Sequence, residues 1–178
     1  MNVVTSTGGI NETAAHEAGH VVIGFRRFGL LPDLVSIERA ADGTTGRCQW
    51  TWSRVDRIRP FLDDQPGGAR VRPGLLSAQE LVTCRDLLAV HLAGLLAAAE
   101  VTGSVHPERA GSDMTEVQRL AGYADLVEPG QVIENVKEEV RAELGFDLHL
   151  RLKISRALVQ SEHLSESQLR QLVAEPAA

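Results

Sequence analysis

A chain of 178 residues with 43% hydrophobic and 24% charged side chains can bury a core unaided, which excludes an intrinsically disordered or disulfide-stapled protein. A formal net charge of −6 argues against a nucleic-acid footprint. The two cysteines, Cys48 and Cys84, form no CxxC pair, which excludes cysteine zinc clusters and thioredoxin-like chemistry; they read as reduced thiols of a cytoplasmic protein.

The opening MNVVTSTGGINET has no basic segment and no long apolar run, so no signal peptide is expected. Asn11 can cap a helix whose first residue is Glu12, an acid where the helix dipole favours one. That helix is predicted to run to about Phe28 and stop at Gly29, with Pro32 beyond. LVSIER (34–39) alternates and is β-branched, so it reads as a strand. DGTTG (42–46) is turn chemistry, and RCQWTW (47–52) is a second strand. Residues 53–76 hold three prolines and three glycines and read as a long mobile surface loop. Its Arg54, Arg57, Arg59, Arg70 and Arg72 outnumber Asp56, Asp63 and Asp64. They are either plainly solvated or part of a gate near the site.

SAQE (77–80) is a capping box in which Ser77 caps and Glu80 reaches back. The helix it opens is predicted to reach about Val101 and end at Gly103. Its apolar run, Leu87 to Ala99, is shorter than the roughly 20 residues that span a bilayer. It reads as a buried core helix, and no membrane anchor is expected. His91 within it reads as a satisfied core histidine. A further helix is predicted from Gly111-Ser112 to about Leu126, then a helical region over 131–163 with a bend at Gly145. SESQ (165–168) is a second capping box, opening a short helix to about Val173. His106, His149 and His163 read as surface residues. The expected fold is mostly α with a small β-sheet (α+β), a single domain over 1–178.

The chemistry is concentrated in TAAHEAGHVVIGF (13–25). Residues four apart share a helix face, about 6 Å from each other. His16 and His20 can therefore present two imidazoles to one cation. Glu17 is rotated about 100° from His16 and can reach a water beside it. This is the HExxH arrangement of zinc hydrolases, in which three protein ligands leave one position open. The plain alternative is two surface histidines without metal. Against it stand the apolar neighbours Ala14, Ala15, Val21, Val22 and Ile23, among which imidazoles and a carboxylate need a partner. Gly19 in mid-helix costs about 1 kcal/mol relative to alanine, which suggests that something passes close to its backbone. For the third ligand, Glu100, His91, His106, Glu108, Asp113 and Glu116 are all candidates, and spacing does not decide among them. Asp113 stands out because it is short and opens a helix.

Three segments in order carry a resemblance to a known family: TAAHEAGHVVIGF, LAGLLAAAEVTGSV (92–105) and GSDMTEVQRL (111–120). They resemble the active-site helix, the small-residue helix and the third-ligand segment of the peptidase domain of FtsH-type ATP-dependent zinc proteases. LVQSEHLSESQLRQL (158–172) is similar to that family's closing helix pair. The resemblance spans about residues 11 to 173 and implies a zincin-like active-site helix with a C-terminal helical bundle. It implies zinc held by His16, His20 and Asp113, with Glu17 as the catalytic base. It also implies that Cys48, Gln49, Trp50 and Thr51 lie on a strand that holds polypeptide substrate by β-addition. Trp50 and Trp52 have core packing as their plain alternative. Glu100 is either a carboxylate behind the ligands, orienting a histidine, or a solvent-facing glutamate.

The sequence departs from that family in several places. It has no GxxxxGK[ST] phosphate loop, so an ATPase or regulatory partner would act in trans. The 53–76 segment is longer than usual, Ser112 stands where asparagine is common, and the region around Gly145 and Phe146 is shortened. Related domains sit in rings, so a homo-oligomer is compatible with the resemblance. The leading expectation is a zinc metalloendopeptidase acting on exposed or unfolded polypeptide. A narrow regulatory protease docking its target through the arginine-rich loop, and a non-catalytic adaptor, are the rival expectations.

Overall fold

The computed structural model describes residues 7–39, 45–61, 74–103 and 107–174. Helix α1 (Thr7–Phe28) leads into strand β1 (Leu34–Arg39) and strand β2 (Thr45–Gln49). Two 3-10 turns follow, Trp52–Arg54 and Asp56–Phe61. Helices α2 (Ala78–Thr102), α3 (Pro107–Ala124), α4 (Pro129–Phe146) and α5 (Leu148–Ser161) come next, then strand β3 (His163–Ser165) and helix α6 (Glu166–Ala174). The result is mostly helical with one small antiparallel sheet.

Helix α1 starts earlier than the sequence indicates. Its backbone is already helical at Thr7, so Asn11 lies inside it rather than capping it. The glycine pair at 8 and 9 hides this start, because glycine costs about 1 kcal/mol per residue in a helix and reads locally as a break. The far end follows expectation. Gly29 takes φ +64, and its N–H donates to the Phe25 carbonyl at 2.8 Å, closing the last turn in the left-handed conformation glycine favours.

The sheet order is β2-β1-β3, with β1 antiparallel to both neighbours. Val35 is fully buried and pairs with Cys48 on one side and Leu164 on the other. Strand β3 was not anticipated. Three residues are too short to show a period, and their pairing with β1 is what defines them. Strand β2 begins two residues early and ends at Gln49, where Trp50 and Trp52 were expected to continue it. The chain turns because Trp50 packs against Gly24 of α1 and stacks on Trp52, ring centroids 4.5 Å apart.

The expected mobile loop is corrected over its first part. Residues 56–61 form a 3-10 turn whose Ile58 and Phe61, three apart and so on one side, are buried in the core. Arg57 is tied down as well, donating to Asp86 at 3.0 Å and to the Arg27 carbonyl at 2.9 Å. Residues 62–73, with Arg70, Arg72, Asp63 and Asp64, lie outside the described residues.

Helix α2 is the central element, packing against α1, α3 and α4. Both halves of its capping box form: Ser77 N–H donates to the Glu80 carboxylate at 2.8 Å, and Glu80 N–H donates to the Ser77 hydroxyl at 3.3 Å. Gly103 (φ +78) ends it. The length expectation needs correction here. At 25 residues, α2 is long and apolar enough to cross a membrane by length and composition, but most of its apolar stretch is covered by the protein's own helices. Gly19 explains how α1 comes so near. A Cβ at Gly19 would lie 2.5 Å from the Ala93 carbonyl oxygen and 2.9 Å from the Ala97 Cβ.

Helix α3 kinks at Gly111 (φ +38, ψ −121), two residues before Asp113. The expected bend at Gly145 falls instead at Asp147, between α4 and α5. The second capping box forms, with Ser165 N–H donating to the Gln168 side-chain oxygen at 2.8 Å and Gln168 N–H to the Ser165 hydroxyl at 3.4 Å.

Candidate metal centre

Consecutive turns of α1 set His16 and His20 side by side, with their Nε2 atoms 2.9 Å apart. Asp113 arrives from α3, its Oδ2 at 2.9 Å from His16 Nε2 and 3.2 Å from His20 Nε2. These three side chains form a group that could hold a metal ion. The Gly111 kink starts a fresh helical segment just before Asp113, so the carboxylate enters at the angle of a helix start rather than of a continuous α3.

The surroundings hold each group in place. His20 Nδ1 donates to the Val90 carbonyl at 2.8 Å. A carbonyl can only accept, so this bond fixes a proton on Nδ1, and once the ring gives up its other proton Nε2 is the atom left to coordinate a cation. Gly94, one turn further along α2, faces the same point. A Cβ there would lie 2.5 Å from His20 Nε2 and 2.8 Å from His16 Nε2, so any larger residue would crowd the two imidazoles.

The electrostatics ask for positive charge. Burial pushes the His20 imidazole down, but the Asp113 carboxylate, its hydrogen bond, the Glu17 charge and the Val90 carbonyl together outweigh burial and raise it to about 9. Burial likewise pushes the Asp113 carboxyl up, while the His20 charge and hydrogen bonds from three imidazoles hold it well below the usual carboxylate range. Two imidazole nitrogens, an ionised carboxylate oxygen and a hydrogen bond behind His20 suit a divalent transition-metal cation. The residues present therefore fit such an ion.

Glu17 lies beside this set, as the helical rotation requires. It is 4% exposed, and its carboxylate packs against the backbone of Gly46 in β2, where φ is +84 and a Cβ would collide with it. Its charge reaches both His20 and Cys48.

The strand residues divide. Cys48 is turned inward, its thiol donating to the Glu17 carbonyl at 3.7 Å. Burial and then the Glu17 charge push that thiol well up. Trp50 packs on Gly24, and the Thr51 hydroxyl donates to the Asp33 carboxylate. Only Gln49 of these four is exposed, and its carbonyl accepts from Asp33 N–H at 2.8 Å. The expected strand of Cys48, Gln49, Trp50 and Thr51 is shortened: only Cys48 and Gln49 lie on β2, and Trp50 and Thr51 fall beyond its end. The packing demands of the tryptophans and the polar partners of Cys48 and Thr51 are met by the protein itself. What β2 offers is backbone, as an edge strand of the described sheet beside Glu17.

Glu100 is also corrected. It is exposed, about 9 Å along α2 from Gly94, and it pairs with the buried guanidinium of Arg151, not with a histidine. Of the other third-ligand candidates, Glu116 pairs with Arg119 at 2.6 Å. His106 and the Glu108 side chain lie outside the described residues. His91 has a hydrogen-bond partner, as expected of a satisfied histidine, but it is not in the core: it is only part-buried, and its Nδ1 lies 2.8 Å from Asp113 Oδ1. The usable signal was its spacing of three from Gly94, which places both on one face of α2.

Compared with known protein families and with curated proteins, the sequence matches neither a family profile nor a curated relative.

Proposed function

We propose that the chain is a zinc-dependent metallopeptidase hydrolysing exposed or unfolded polypeptide. The observation that carries this reading is the convergence of His16, His20 and Asp113 on one point, with the Glu17 carboxylate near enough for its charge to act on His20. His16 and His20 would hold zinc through Nε2, and Asp113 through Oδ2. Zinc, when bound there, supplies Lewis-acid polarisation of water and of the scissile carbonyl. Glu17 takes the proton from the attacking water and returns it to the leaving amine nitrogen. The edge of β2 offers main-chain hydrogen bonds to an extended polypeptide, which binds with little sequence preference. The resemblance to FtsH-type peptidase domains supports the same substrate class, a cytoplasmic setting and an unfolding partner in trans.

The test is Glu17→Gln, assayed on an unfolded protein substrate with metal content measured in parallel. Loss of a general base lowers the rate by about 100-fold or more, and zinc content stays unchanged. Equal cleavage by variant and wild type would refute the mechanism. A wild type that retains no zinc would favour the non-catalytic adaptor.

A further inference from the structure

One turn of α2 holds two groups of the metal centre from behind. The Val90 carbonyl receives His20 Nδ1–H at 2.8 Å, and the next residue, His91, reaches Asp113 Oδ1 through Nδ1, also at 2.8 Å. The two oxygens of Asp113 therefore have separate tasks. Oδ2 faces the imidazoles of α1, and Oδ1 is held by α2. An ionised carboxylate only accepts, so His91 Nδ1 is the donor. Asp113 needs such an anchor. It stands two residues beyond the non-helical Gly111 and is 16% exposed in its side chain, so neither continuous helix nor full burial fixes its rotamer. His91 itself is 26% exposed, and its ring centroid is 6.4 Å from that of His20, beside the centre but outside the converging set.

We infer that His91 is a positioning residue that occupies Asp113 Oδ1 and restricts Asp113 to donating a single oxygen, Oδ2, to the cation. This rests on the metal-site reading above and adds what sets its coordination number. A carboxylate with both oxygens free can chelate, which favours larger, oxygen-rich coordination. Holding one oxygen leaves two nitrogens and one oxygen, the three-ligand arrangement of an open tetrahedral site.

The test compares His91→Leu, which keeps bulk without a donor, with His91→Asn, whose amide N–H₂ can replace Nδ1–H. Zinc affinity of the purified chain is read by chelator competition, and coordination by the visible absorption of the cobalt(II)-substituted protein. Tetrahedral cobalt(II) absorbs far more strongly than five- or six-coordinate cobalt(II). The leucine variant is expected to bind zinc about 10- to 100-fold more weakly and to show a weakened cobalt band. The asparagine variant is expected to keep affinity and band near wild type. A leucine variant indistinguishable from wild type overturns the role of His91 and leaves the metal site standing. Equal weakening in both variants also overturns it, because packing rather than the donor would then matter. A wild type that binds neither ion overturns the metal site and this inference together.

Discussion

His20 shows how a single side chain is set by opposing forces. Burial disfavours its charge, and Asp113, Glu17 and the Val90 carbonyl together more than restore it, giving a folded value of about 9 against an ordinary 6.5. A group that binds its proton more tightly when folded stabilises the fold fully below its unfolded value. That stabilisation is lost as pH rises through the folded one. The metal-free chain should therefore lose stability between about pH 6.5 and pH 9. Cys48 and Cys84, both raised by burial, act in the same direction but only above their ordinary value of 9.0, so this window isolates the histidine. Asp113 stays ionised across it. Urea midpoints of chelator-treated protein at stepped pH would read the decline. With zinc bound, the cation replaces the proton and the slope should flatten. A metal-free midpoint that is level or rises across the window would contradict the charge pairing. At this scale His16, Glu17 and His20 were legible because one turn of helix relates them. His91 was not, because an apolar helix gives a histidine no visible partner.

Among elements, the crossing of α1 and α2 decides whether the ligands meet. Gly19→Ala gains about 1 kcal/mol of helix propensity. The added Cβ would meet the Ala93 carbonyl oxygen at 2.5 Å, and a backbone atom cannot swing away as a side-chain end can. Overpacking of this kind costs about 1–3 kcal/mol, so the clash should prevail and lower stability. Chemical denaturation checks the sign; a variant more stable than wild type would show that the helices can separate without cost. The elements legible from sequence were those with punctuation inside a few residues: the boxes at Ser77 and Ser165, and the stops at Gly29 and Gly103. The 3-10 turn at Asp56–Phe61 was hidden because its Arg57, Arg59 and Pro60, followed by the prolines and glycines of the rest of 53–76, read as loop. Only burial of Ile58 and Phe61 gives it shape.

Across the whole molecule, a charged network joins α1, α2, α4 and the 3-10 segment. Asp86, 6% exposed, accepts from Arg27 at 3.2 Å and Arg57 at 3.0 Å. Arg27 continues to Glu139 at 3.2 Å and Glu143 at 2.6 Å, and Arg85 also reaches Glu139, at 2.6 Å. Burial pushes the Asp86 carboxyl up even though both guanidinium groups pull it down. Asp86→Ala would leave two part-buried cations without their shared acceptor, and the expected cost is about 3–5 kcal/mol. Thermal or urea unfolding reads this directly; a loss below about 1 kcal/mol would mean that the network behaves as a solvated surface cluster.

The sequence by itself determined the body of the α1 and α2 helices, the caps at Ser77 and Ser165, the stops at Gly29 and Gly103, the β1–β2 pairing and the HExxH face, because each is written within a few residues by helical period, glycine conformation or capping chemistry. The tertiary structure alone decided that Asp113, 97 residues from His16, meets the imidazoles, and that His91 holds its other oxygen. It also turned Cys48, Trp50 and Thr51 onto the protein and sent Glu100 to Arg151. Those outcomes depend on how closely α1, α2 and α3 pack and on the kink at Gly111, and contacts between distant segments leave no periodic trace in either one.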